Sequence, residues 1–275
     1  MNNFIIDFID TATTEAINEY LTNNNATVVN VFSKLKNVYL VSCEAYPEEN
    51  VIVSHIINDS LTSITKLDYD IPLNLPTDNQ SVVLEDEKNW WKIASMYSPK
   101  FDQETIEIPI RGEGVRVYVV DSGIEATHPE FDGRTIVNLY SFTGDFTDTA
   151  GHGTAMASLI SGKTCGLTDA TICVVKIFDH AQPTKLSDLL GAFDSIIQDF
   201  HTHGSRCAVV NMSWTIPYNQ YISDKIAIMA AEGIFMVAAA GNSGEPIENI
   251  TPASVSTAIV VGAYNQNLEP CNFSN

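Results

Sequence analysis

The chain has 275 residues, 45% of them hydrophobic, which is enough apolar material for one large or two smaller folded units and excludes a largely disordered polypeptide. Acidic residues outnumber basic ones 34 to 14, for a formal charge of -20, and no Lys/Arg cluster offsets them, so neither nucleic acid nor an anionic membrane is an expected partner. No run is long enough to span a bilayer, and the N-terminal MNNFIIDFIDTATTE lacks Lys and Arg, unlike a secretory signal; the expected location is intracellular or particle-associated rather than secreted.

In chain order, FIIDFI reads as a strand and TTEAINEYLTNNN as a helix capped by Thr13 or Thr14. ATVVNVFSKL and NVYLVSCEA read as two further strands, PEENVIVSHIINDS as a helix opened by Pro47, and SITKLDYD as a last strand. That βαββαβ order is the ferredoxin-like split pattern, and it assigns residues 1–71 to a small α+β unit. Residues 72–89, with Pro76 and the acidic run EDEKN, form the candidate linker, and NWWKIASMYS follows as a short amphipathic helix. From residue 90 to 275, apolar strands (VRVYVV, ATICVVKIF, CAVVNM, IFMVAAA, AIVVGA) alternate with helices, which predicts an α/β fold with a doubly wound, mostly parallel sheet.

Ligand sites in such sheets form at the carboxyl ends of strands. Asp121 follows VRVYVV, Ser213 follows AVVNM, Asn242 follows FMVAAAG, and His152 opens a helix in DTAGHGTAMASLISG. A histidine with a buried carboxylate is the base-and-orienter pair of nucleophilic catalysis, and an Asn amide at a strand end can donate to a developing oxyanion. Taken singly, each residue reads as a cap or a turn; together, at successive strand ends, they read as a site. His201 and His203 in HTHG lie on different helix faces and read as C-terminal helix residues rather than metal ligands. Five cysteines without CxxC spacing read as mostly free, buried thiols, with room for one disulfide.

VRVYVVDSGIEATHPEF, DTAGHGTAMASLISG, VVNMSW and VAAAGNSG resemble the motif segments of the subtilases, the subtilisin-like serine peptidases, over about Trp90 to Asn275. GKTCGLTDATICVVKIFDH and ENITPAS place the likeness nearest the proteinase K branch. The resemblance implies a serine endopeptidase acting on a polypeptide substrate, with Asp121 as orienter, His152 as base and Asn242 as oxyanion donor. It implies that Ser213, Trp214 and Thr215 form one substrate edge, that His180 to Thr184 form the other, and that Ala239, Ala240 and Gly241 line the pocket before the scissile bond. It also implies that residues 1–71 are a prodomain seated in the chain's own cleft, freed by cleavage between Leu75 and Asn89.

The likeness breaks off before the family's GTSMA-like nucleophile segment, so the 275 residues alone are expected to be inactive. A fragment of a longer zymogen, a catalytically inactive protein that binds peptide or serves a structural role, and complementation by a second polypeptide all fit that reading. Ala155 and Ser158 stand where His and Gly are usual, and Trp214 and Thr215 where Leu and Gly are usual. No cofactor is expected. Calcium is a weak candidate at the Ser256 and Ala258 carbonyls with Asn265, whose neutral amide replaces a carboxylate.

Overall fold

In the computed structural model the described residues are 2–8, 12–23, 26–35, 37–43, 64–70, 72–73, 111–203, 207–265 and 267–275. The sequence-expected helix at 47–60 and the one beginning at Asn89 fall outside them, as does most of the 72–89 linker.

The N-terminal unit is a four-stranded antiparallel sheet of β1 (Asn2–Phe8), β2 (Ala26–Phe32), β3 (Val38–Cys43) and β4 (Ile64–Tyr69), in the order β2-β3-β1-β4. Helix α1 (Thr14–Asn23) lies on one face, its first turn capped by the Thr13 hydroxyl. Side chains along a strand alternate between faces, and β1 uses both. Phe4, Ile6 and Phe8 pack with Ile17, Tyr20, Leu21, Tyr39 and Val41 under α1, whereas Ile5 belongs with Leu35, Val38 and Leu40 to the main core of the molecule. The small sheet is therefore packed on both faces, one of them against the larger unit.

The larger unit is built on six parallel strands: β6 (Arg116–Asp121), β7 (Ile136–Ser141), β8 (Thr171–Lys176), β10 (Ala208–Met212), β12 (Phe235–Ala239) and β14 (Ala258–Val261). Their order is β14-β12-β10-β6-β8-β7. Helix α2 (His152–Ser161) covers one face over Val117, Val119, Ile172 and Val174. Helices α3 (Leu186–His203) and α4 (Gln220–Ala231) cover the other over Tyr118, Val120, Val175, Val210, Met212 and Met236. This is the α/β arrangement expected from the sequence.

Four short strands are decided by tertiary contact. β5 (Pro72–Leu73) pairs antiparallel with β9 (Thr184–Lys185), and β11 (Ile216–Pro217) with β13 (Ile250–Thr251). β7, which the sequence reading left out, has no fully buried residue, as its place at the sheet edge requires. The α2 face is not fully covered. Phe235, Ile259 and Val261, on β12 and β14, are 59%, 57% and 53% exposed, and no described helix lies over them.

Candidate active site

β6 delivers Asp121, a residue 2% exposed, to its carboxyl end. Helix α2 begins at His152, and its cap residue Gly151 takes φ 80, a left-handed conformation that favours glycine. The next glycine has a different reason. A Cβ on Gly153 would run into the Gly123 carbonyl and lie 3.2 Å from the Asp121 Cβ and Oδ1. The structure uses one glycine for the turn and the other to press the helix start against the loop after β6.

That close packing brings His152 Nδ1 to 2.8 Å from Asp121 Oδ1 and 3.0 Å from Oδ2. The carboxylate, also held by the Ser122 backbone N–H at 2.7 Å, can only accept. Nδ1 is therefore the protonated ring nitrogen, and Nε2 is the basic one. The imidazole is half exposed while its carboxylate partner is buried, so the ring is open to solvent and the carboxylate is not.

Asn242 stands beyond the carboxyl end of β12, two strands from β6 on the same rim of the sheet, and is exposed. Gly241 before it has φ 105. The turn is braced by Asn275, whose Oδ1 accepts from Ser243 N at 2.9 Å and Glu245 N at 3.0 Å, and whose own N–H donates to the Gly241 carbonyl. Ala239 and Gly241 are half-buried at this rim and Ala240 is buried. Ser213 hydrogen-bonds the Asn211 side chain. The Trp214 indole is buried edge-on against Phe178, 5.8 Å between centroids, so its side chain packs in the core rather than on the rim. Thr215 is half-buried beside it. Across the sheet, Thr184 and Lys185 already accept β5 as an added antiparallel strand.

Several further residues the sequence reading passed over support the pair. Ser122, Asp148 and Thr154 form a hydrogen-bonded set beneath it. Lys176, fully buried opposite Asp121 on β8, donates to the Thr147 carbonyl at 2.6 Å and pairs with Asp179 at 2.9 Å. Asp148 lies four residues before His152, outside the helix and its Gly151 cap, so its part in the site depends on the fold rather than on a local spacing.

The calcium set does not fit. Asn265 Oδ1 accepts from the backbone N–H groups of Asn267 and Glu269 at 2.9 and 3.1 Å, so the amide oxygen that would face the ion closes a turn instead. Among the described residues no group of three or more His, Cys, Asp or Glu could hold a metal. His201 pairs with Glu232 and His203 with Asp199. Of the cysteines whose side chains are described, Cys173 is buried, Cys165 and Cys271 are half-buried and Cys207 is exposed, which corrects the expectation of mostly buried thiols. No described helix is long and apolar enough to cross a membrane.

Residues 112–275 match the profile of the subtilase family, peptidase S8. The chain belongs to the subtilase family. Among curated relatives, the subtilase half is 36% identical over 166 residues to a cuticle-degrading protease of Metarhizium anisopliae, covering 60% of this chain and 43% of that protein. It is 37% identical to alkaline protease 1 of Aspergillus clavatus, covering 60% of this chain and 41% of that protein. The chain thus spans less than half the length of these fungal relatives. Among solved structures, a cold-adapted subtilisin-like serine proteinase aligns at TM-score 0.57 and 27% identity, over 63% of each chain. The epidermin leader peptide processing serine protease of Staphylococcus aureus aligns at TM-score 0.67 over 99% of this chain and 72% of its own. At 16% identity that likeness speaks for the fold alone.

Proposed function

We propose that this subtilase is part of a serine endopeptidase, made as a zymogen, in which Asp121 and His152 are the orienter and the general base. The observation that carries the reading is the His152 Nδ1 contact with the buried Asp121 carboxylate at 2.8 and 3.0 Å. It fixes the tautomer that leaves Nε2 to take a proton from a nucleophile and return it to a leaving amine. Asn242, on the same rim, is the amide donor to the oxyanion. Peptide hydrolysis then runs through an acyl-enzyme: a seryl oxygen attacks the carbonyl, His152 takes its proton, the amine leaves protonated, and water repeats the sequence.

In this reading the serine arrives on a helix that covers the bare half of the α2 face. Parallel sheets are covered on both faces, and Phe235, Ile259 and Val261 are the apolar surface that such a helix would bury. A helix returning antiparallel to β12 and β14 starts at their carboxyl ends, which is the rim that holds His152. Residues 1–71 act as the prodomain, 72–89 as its linker, and 90–275 as peptidase domain; the pairing of β5 with β9 is the form in which the chain's own linker occupies a substrate edge.

The test extends the reading frame past codon 275 until a GTS-type segment is included, then assays a fluorogenic peptide. Hydrolysis abolished by His152→Ala is the expected result. Turnover retained in that variant overturns the assignment. The β5–β9 pairing also favours a second reading, a non-catalytic peptide-binding protein; a true stop after Asn275, with peptide binding and no hydrolysis, selects it.

A further inference from the structure

Five hydrogen bonds converge on the Asp148 carboxylate. Oδ1 accepts from the backbone N–H groups of Ala150 and Gly151, both at 2.9 Å, and from the Ser122 hydroxyl at 2.8 Å. Oδ2 accepts from the Thr154 N–H at 2.9 Å and the Thr154 hydroxyl at 2.7 Å. The donors lie on both sides of His152 in sequence, so one carboxylate ties down the approach to the histidine and the first turn after it. Thr154 Oγ1 in turn accepts from Glu125 N at 3.0 Å, which joins the set to the loop after β6.

Ser122 connects this set to the catalytic pair. Its hydroxyl oxygen accepts from Gly153 N at 3.0 Å, and its single proton has two carboxylates within reach: Asp148 Oδ1 at 2.8 Å and Asp121 Oδ1 at 3.2 Å. The shorter contact takes the proton. Asp121 then keeps its full negative charge for His152.

We propose that Asp148 is a positioning residue for the His152–Asp121 pair, acting in two ways: it clamps the segment that carries His152, and it draws the Ser122 hydroxyl away from Asp121. The inference rests on the peptidase reading for its consequence in turnover, but not for its structural claim. The ionisation of Asp148 agrees with it. Burial alone would raise the carboxyl, yet the bonds from Thr154, Ser122 and Ala150 outweigh burial and hold it below its ordinary value. Other ionisable groups on the surrounding loops are Glu125, whose carboxylate accepts from Thr127, Asp145, which accepts from Thr147, and the Lys176–Asp179 pair, which holds the Thr147 carbonyl and the Thr149 hydroxyl.

The conservative change Asp148→Asn separates the two roles from simple packing. An amide cannot accept five bonds, because its NH2 end only donates. Whichever way it turns, at least two backbone or hydroxyl donors face a donor. Placed toward Ser122, the NH2 donates to the hydroxyl oxygen and swings its proton onto Asp121. Both effects weaken the imidazolium. The measurement is an NMR titration of the histidine ring signals in the 275-residue chain, with His152 assigned by its loss in His152→Ala. Asp148→Asn should lower the His152 pKa by about one unit, a tenfold loss of proton affinity. Adding Ser122→Ala should return part of that shift, because no hydroxyl remains to swing.

A folded Asp148→Asn chain whose His152 titrates as in the parent overturns the proposal. If Asp148→Asn does not fold, Thr154→Val decides: it removes one donor, keeps the charge, and should lower the same pKa by a smaller amount, whereas an unmoved titration overturns the proposal. The readout needs no nucleophile, so the positioning role can fail while the peptidase reading stands, and the reverse.

Discussion

At the scale of single residues, the site depends on which atoms are kept apart and which are pressed together. Asp121→Asn leaves the shape of the pair and removes the acceptor that holds Nδ1–H. The imidazole then has no reason to keep Nε2 basic, and kcat of a form carrying the nucleophile should fall on the order of 10⁴-fold with KM little changed. Gly153 gives a prediction with the opposite sign from helix propensity. In an open helix, Gly→Ala stabilises by about 1 kcal/mol. Here the new Cβ meets the Gly123 carbonyl and the Asp121 side chain, so Gly153→Ala should cost about 1–3 kcal/mol in urea unfolding and should disturb the His152 titration as well. A gain in stability would show that the helix start is not pressed on β6 as described. The residue types of the pair were legible in GHG and VVDSG. The roles of the two glycines were not, because only the fold reveals that one faces open space and the other faces backbone.

Among the elements, legibility followed apolar composition. β6, β8 and β10 announced themselves as apolar runs because they lie in the middle of the sheet, and β12 and β14 did so as well although their α2 face is bare among the described residues. β7 lies at an edge, and β5, β9, β11 and β13 are two-residue pairings set by which loops meet, so no local pattern could show them. Ties between elements were hidden for the same reason. Asp199 on α3 accepts from the Tyr118 hydroxyl at 2.9 Å, pairs with Arg116 at 2.7 Å on β6, and meets His203 at 2.9 Å. Burial pushes the Tyr118 phenol up, and the bond to Asp199 adds to it. Asp199→Ala strands a buried guanidinium and a buried hydroxyl, and should cost about 3–5 kcal/mol in thermal or urea unfolding. Glu130 makes a tie of another kind, to the loop after α2. Its carboxylate accepts from the N–H groups of Thr164 and Cys165 and from the Thr164 hydroxyl. Against the upward push of its burial, these bonds bring it from 4.5 to about 2. A depressed carboxyl stabilises the fold above its ordinary pKa and loses that stabilisation as pH falls toward the shifted one. The loop at Thr164 and Cys165 should therefore open between about pH 4.5 and 2, and amide exchange at those residues should rise across that window in the parent but not in Glu130→Gln.

For the molecule as a whole, the decisive surface is the one between the small antiparallel sheet and helices α3 and α4. Ile5, Leu35, Val38 and Leu40 share the main core there, and polar ties surround them. Asp70 caps Ser187 at the start of α3 at 2.8 Å, Asp194 accepts from the Lys34 N–H, and Asp7 pairs with Lys225. Lys225 is the ion that matters most, because its side chain is only 4% exposed. A buried ammonium without its counter-charge cannot recover its hydration while the sheet stays in place. Asp7→Asn should therefore weaken docking by about 3–5 kcal/mol, and the N-terminal unit should become open to limited proteolysis while β6 to β14 remain resistant. At this surface the Asp188 and Asp194 carboxyls have a pH sense that runs against that of Glu130. Burial raises Asp188 and Asp194, and Asp70 adds its repulsion at Asp188. A carboxyl raised by folding binds its proton more readily in the docked state, so its contribution falls as pH climbs from the ordinary 3.8 through the shifted value. Mild acid should thus loosen the loop after α2 before it frees the small sheet. Protease nicking in the parent at about pH 4 should begin near Thr164 and leave the N-terminal unit attached, whereas Asp7→Asn should be cut at that unit first. Early loss of the N-terminal unit from the parent in acid would show that the Asp188 and Asp194 carboxyls do not govern this surface.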